Sequence, residues 1–191
     1  MGEAAAAHVV RVLKETAAAH ERMTARADVV VAAAQAITGA LKAGGTVWAF
    51  GNGGSAADAQ HFVAELVGRY KKDRKGLRAV ALTTDTSVLT AVGNDYGFDR
   101  VFARQVEALV RPGDVAMGIS TSGNSPNVLR ALEAARQNGA VTIALTGRGG
   151  AAGTLAGCHI AVDEEDTARI QEVHATVLHV ICELVEADVH G

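Results

Sequence analysis

Apolar residues recur at helical spacing through residues 3–41. In this Ala-rich stretch Val9, Val10 and Leu13, and then Val30, Ile37 and Leu41, fall at helical spacings. Two helices are therefore expected before anything strand-like. The pattern changes at Ala43-Gly44-Gly45, and residues 46–50 form a short apolar run bounded by glycine, which predicts a buried strand. Similar runs follow at 79–82, 115–119, 141–145 and 159–162, with helical patterns between most of them. Short apolar strands alternating with helices predict an α/β fold, a parallel sheet covered on both faces. The last segment, 167–188, reads as one long helix. Its apolar stripe of Ile170, Val173, Val177, Leu178, Ile181, Leu184 and Val185 is broad enough for two neighbours. Helices at both ends exceed what one sheet can cover, so part of this apolar surface is expected to be buried between subunits.

Composition narrows the reading further. The 191 residues contain no Pro/Gly/Ser-rich linker, so residues 1–191 are read as a single domain, with the 1–43 helices available for oligomerisation. With 49% apolar and 20% charged residues the chain can bury a sizeable core, and disorder is not expected. A formal net charge of −3 supplies no basic field for a polyanion, so no nucleic-acid partner is expected. The basic run Lys71, Lys72, Arg74, Lys75 reads as a solvated loop between a helix and a strand. No stretch approaches the roughly 20 apolar residues of a membrane span, and the N-terminus lacks a secretory pattern, so a cytoplasmic protein is expected. Cys158 and Cys182 stand alone, without metal-ligand spacing, and read as small core residues.

Two polar loops interrupt this pattern where strands end. Gly51-Asn52-Gly53-Gly54-Ser55 follows the first strand and precedes a helix expected to begin near Ala56. Its glycines let backbone approach an anion, and the helix terminus adds free N–H groups. Ser55 and Asp58 have capping-box spacing, so part of the pattern can serve only to start the helix. Gly51, Gly53 and Ala56 also fit a dinucleotide fingerprint loosely, but the acidic residue expected about 20 positions on is missing. The second loop, Ser120-Thr121-Ser122-Gly123-Asn124-Ser125, again joins a strand to a helix, with Pro126 at the first helical position and Ser125 at the N-cap. Four hydroxyls exceed what capping requires and suit a small phosphate monoester. The absence of GxxxxGK[ST] disfavours a nucleoside triphosphate.

Candidates for chemistry lie on two helices. After the first loop, Ala59, Phe62, Val63, Leu66, Val67 and Tyr70 share a core-facing side on a helical wheel, whereas His61 and Glu65 lie together on the opposite side. On the last helix His174 falls inside the apolar stripe and reads as a core histidine. Gln171 and His179 sit on its shoulder, about 80° apart, and spacing leaves His179 open between a cleft residue and a structural one.

GNGGSAADAQHFVAEL (51–66), LTTDTSVLTAVGNDYGF (82–98), ISTSGNSPNVL (119–129) and TARIQEVHATVLH (167–179) together resemble the phosphoheptose isomerases, members of the sugar-isomerase (SIS) domain superfamily. The resemblance spans nearly the whole chain after about residue 43 and implies a homotetramer of three-layer α/β/α subunits with active sites between subunits. It implies that Asn52, Gly53, Gly54, Ser55, Asn94, Asp95, Ser120, Thr121, Ser122 and Ser125, with Glu65 and Gln171, hold a sugar phosphate. It assigns His61, Glu65, Gln171 and His179 to a zinc ion, for which imidazoles and a carboxylate are suitable donors and an amide a weak one.

The reaction implied converts D-sedoheptulose 7-phosphate to D-glycero-D-manno-heptose 7-phosphate through an enediol, toward activated heptose for cell-surface glycoconjugates. Glu65 and His179 are its expected catalytic residues. Two other readings remain. Noncatalytic relatives use the same fold as adaptors, one of them binding a replication initiator, but they lack the acid/base pair. Other SIS isomerases act on different sugar phosphates.

Overall fold

The computed structural model describes residues 2–189. Helices α1 (Glu3–Met23) and α2 (Ala27–Lys42) come first, joined by the 3-10 turn Thr24–Arg26. The alternating region supplies β1 (Val47–Gly51), α3 (Gly54–Val67), β2 (Ala79–Ala81), α4 (Thr86–Tyr96), α5 (Ala103–Leu109) and β3 (Val115–Ser120). It continues with α6 (Pro126–Gln137), β4 (Val141–Thr146), α7 (Ala152–Leu155) and β5 (Cys158–Ala161), and α8 (Thr167–Val189) is the last described element. The five strands are parallel in the order β2-β1-β3-β4-β5. All five expected strands form, within one or two residues of the expected limits.

Strand alternation divides the core into two layers. Val47 and Ala49 of β1, with Met117 and Ile119 of β3, pack beneath α2, α3 and α8. Trp48 and Phe50 face the other way, toward α4, α5 and α6. These are the three layers expected, and β1 and β3 are buried along their whole length.

Two details depart from the sequence reading, and one bears on the expected subunit contacts. Helix α3 stops at Val67, which is exposed although the helical wheel had assigned it to the core face; Tyr70, beyond the helix end, still packs against the core as expected. On α1 only Ala19 is buried, while Val9, Val10 and Leu13 are exposed because this helix meets the rest of the chain mainly through α8. The basic run is not wholly solvated either. The Arg74 side chain is 1% exposed, because Glu186 of α8 offers it a buried carboxylate at 3.0 Å.

Candidate active site

In a sheet of this order the connections reverse direction between β1 and β3, and a crevice opens where the strands end. Both polar loops lie there. Gly51 pairs with Ile119 in the β1–β3 register, so the loops leave the sheet side by side. They are tied together by Asn52 and Asn127, whose amide groups exchange two hydrogen bonds of 2.9 and 2.8 Å. Asn127 is buried and also accepts from the Val128 N–H. The sequence reading did not single it out, since one asparagine inside a helix start carries no distinctive signal.

The first loop starts α3 without the capping box that the spacing of Ser55 and Asp58 allowed. Gly53 occupies the N-cap at φ 55°, a left-handed conformation suited to glycine, and no side chain caps the helix. Its N-terminal amides are left for a ligand. A Cβ on Gly54 would lie 2.3 Å from Gln171 Nε2, so the absence of a side chain there lets α8 lay its amide against the loop. Asp58, released from any capping role, buries one carboxylate oxygen without a hydrogen-bond partner among the described residues. Burial pushes its pKa up, and the nearby His61 opposes that rise.

The second loop pools its hydroxyls. Ser125 stands at the N-cap of α6 as expected, but its Oγ lies 2.9 Å from Ser120 Oγ instead of capping the helix. Ser122 Oγ is 3.4 Å from Ser120 Oγ and accepts from the Asn124 N–H. Gly123 at φ 65° packs so closely that a Cβ would meet the Gly149 carbonyl at 2.4 Å, which fixes the loop against the turn after β4. Thr121 braces the same turn by accepting from the Gly147 N–H. Asn94 and Asp95 are exposed at the end of α4 and hydrogen-bond each other at 2.7 Å. The following residues Phe98 and Asp99 line a cavity of about 200 Å³ together with Asn52, Ser125 and Asn127.

Helices α3 and α8 bring His61, Glu65 and His179 into one cluster. His61 Nε2 lies 3.0 Å from Glu65 Oε1 and 3.5 Å from His179 Nε2. One ligand atom from each residue falls within 4.8 Å of the others. Tetrahedral zinc with bonds of about 2.0–2.1 Å separates neighbouring donors by roughly 3.3 Å, so the donor types suit such an ion and the separations of His61 from Glu65 and from His179 lie close to that spacing. The two rings meet edge to face, with centroids 5.0 Å apart. Gln171, about two turns before His179, faces Gly54, so α8 touches both the cluster and the phosphate-type loop. His174 is fully buried and bonds the Thr146 carbonyl at the end of β4, which agrees with its reading as a core histidine. Burial lowers its pKa to about 4.

The arrangement can cradle a phosphate at one place and exchange protons at another. The SIS domain family model matches residues 12–147. The phosphoheptose isomerase of Aquifex aeolicus is 61% identical over 161 residues, 84% of each chain. That of Solidesulfovibrio magneticus is 55% identical over 187 residues, covering 97% of this chain and 92% of its own. Among solved structures, the phosphoheptose isomerase of Neisseria gonorrhoeae superposes with a TM-score of 0.86 at 46% identity, covering 97% of this chain and 98% of that one.

Proposed function

Because the chain belongs to the phosphoheptose isomerase family of SIS-domain proteins, we propose that it converts D-sedoheptulose 7-phosphate to D-glycero-D-manno-heptose 7-phosphate, in activated-heptose biosynthesis. The observation that carries this reading is the meeting of His61, Glu65 and His179 beside two polar loops at the switch point of the sheet. The noncatalytic adaptor reading is not favoured, because the acid/base pair is present and the relatives are named as isomerases.

The phosphate sits on the α3 N-terminus and the Ser120, Thr121, Ser122 and Ser125 loop, where backbone N–H groups and hydroxyls donate to its oxygens. Asn52, Gly53, Gly54 and Ser55 complete that cradle, and Gln171, Asn94 and Asp95 contact the sugar. Glu65, with 23% of its side chain exposed, accepts the proton from C1 of the open-chain ketose and returns it at C2, passing through an enediol. His179 moves a proton between the two oxygens. His61, Glu65, Gln171 and His179 are the residues that would hold a zinc ion. When bound, zinc supplies Lewis-acid polarisation of the carbonyl oxygen.

The functional unit is a homotetramer with sites between subunits and the 1–43 helices at its contacts. Its support is the exposed Val9, Val10 and Leu13 of α1 and an almost wholly apolar groove of about 410 Å³ between α1, α2 and α8. Residues 1–191 act as one domain, and the working compartment is the cytoplasm. No helix among the described residues is long and apolar enough to cross a membrane.

Purified protein incubated with sedoheptulose 7-phosphate should form the aldose phosphate, and prior treatment with a chelator should slow it. Absence of the aldose under both conditions would overturn the isomerase reading. Sedimentation as a monomer at micromolar concentration would overturn the tetramer.

A further inference from the structure

The segment between α3 and β2 runs back along one face of α8. His179, Glu183 and Glu186 lie on that face at positions i, i+4 and i+7. Residues of the segment meet them in order. The Tyr70 ring packs on His179, with centroids 5.5 Å apart and planes inclined by 31°. Lys71 Nζ pairs with Glu183, and the Tyr70 hydroxyl is 3.5 Å from the same carboxylate. Glu186 then accepts from three successive backbone N–H groups, those of Tyr70, Lys71 and Lys72, at 3.2, 2.9 and 2.9 Å.

Arg74 completes the arrangement. Its Nε donates to Glu186 at 3.0 Å, and its terminal nitrogens donate to the carbonyls of Leu66 and Glu65 at 2.8 and 2.7 Å. These carbonyls lie in the last turn of α3, where a cation is favoured, and the Leu66 carbonyl also accepts from the Leu77 N–H at 3.0 Å. One buried ion pair thus joins the turn of α3 that carries Glu65 to the face of α8 that carries His179. A buried pair contributes little net stability, but fully hydrogen-bonded it fixes geometry closely.

We propose that Arg74 and Glu186 form a buried clasp that seats Tyr70 against His179. Tyr70 is then a positioning residue: its ring holds the imidazole in the orientation that reaches His61 and Glu65. The proposal rests on the reading of those three residues as the zinc and proton-transfer site. His179 is bounded by His61 on one side and Tyr70 on the other. Removing the Tyr70 ring frees rotation away from the cluster, while the hydroxyl is dispensable.

The test uses the full-length enzyme and Tyr70→Ala, Tyr70→Phe and Glu186→Gln variants. Zinc affinity is measured by competition with a chromophoric chelator, kcat and KM on sedoheptulose 7-phosphate, and Tm alongside. Tyr70→Ala should weaken zinc binding roughly tenfold and lower kcat by about the same factor, with KM within about twofold, whereas Tyr70→Phe restores both values. Glu186→Gln should lose zinc affinity to a similar extent and lower Tm, since it leaves the Arg74 charge buried without its counterion. If that variant does not fold, the two Tyr70 variants decide. Wild-type zinc affinity and kcat in Tyr70→Ala would overturn the proposal, as would equal losses in Tyr70→Phe. A wild-type enzyme that isomerises without binding zinc would instead sink the metal assignment, and the positioning claim would then stand or fall on kcat for Tyr70→Ala against Tyr70→Phe.

Discussion

Two histidines lie five residues apart on α8, and the buried one, His174, should make the stability of the fold depend on pH. His174 is fully buried, and its Nε2 lies 3.1 Å from the Thr146 carbonyl oxygen. A carbonyl only accepts, so Nε2 carries the proton and Nδ1 is left bare, without a partner among the described residues. Burial, partly opposed by the Thr146 hydrogen bond, takes its pKa from 6.5 down to about 4. The unfolded chain binds this proton more readily than the folded one. The contribution to stability is therefore complete above pH 6.5 and is lost as pH falls toward 4. At about 1.4 kcal/mol per pH unit, the whole interval amounts to about 3 kcal/mol, and reaching pH 5 loses about 2 kcal/mol.

A His174→Gln variant keeps a donor for Thr146 but does not titrate. Urea unfolding followed by circular dichroism at pH 7, 6, 5 and 4 should show the wild type losing about 3 kcal/mol more than the variant across that range. Carboxylate titrations common to both proteins cancel in the difference. Any constant packing penalty from glutamine shifts one curve without changing its slope. Parallel curves would refute the reasoning, because they would mean that His174 titrates alike in the folded and unfolded chains. The same variant should retain isomerase turnover, whereas His179→Gln should lose it.

Glu65→Gln should lower kcat by about 10²–10⁴-fold while calorimetry still detects sugar-phosphate binding, and turnover close to wild type would remove Glu65 as the base. Gly54→Ala would set a methyl 2.3 Å from Gln171 Nε2, so Gln171 must move away. Its KM should rise and its zinc affinity fall, and unchanged values would show that the contact between α8 and the loop is incidental. Asn127→Ala would strand the Asn52 amide and the Val128 N–H. A loss of about 1–3 kcal/mol in chemical denaturation is expected, with weaker phosphate binding, and a neutral result would mean water replaces the amide at no cost.

Much of the fold was legible because periodicity is local. A five-residue apolar run bounded by glycine is a strand wherever it packs, and residues 46–50 behaved so. Hydroxyls and glycines placed just after such runs mark the mouth of a parallel sheet, and both loops lie there. Local pattern failed where a residue's partner is remote. Val67 was placed on the core face by the wheel, yet it is exposed where the helix ends. Arg74 was assigned to solvent because nothing nearby in sequence offers it a buried carboxylate; Glu186 is 112 positions away. Val9, Val10 and Leu13 have helical spacing, yet an apolar face does not say what covers it.

The candidate site divides along the same line. Residue types and spacings determined by themselves that His61 and Glu65 share one side of a helix, that Gln171 and His179 lie on a shoulder of another, and that His174 points inward. Only the tertiary structure decided that His179 meets His61 across 118 residues, that Gln171 faces Gly54, and that Asn127 locks the two loops together. A helical repeat fixes the direction of each side chain about its own axis, but the distance between axes is set by the core packed between them.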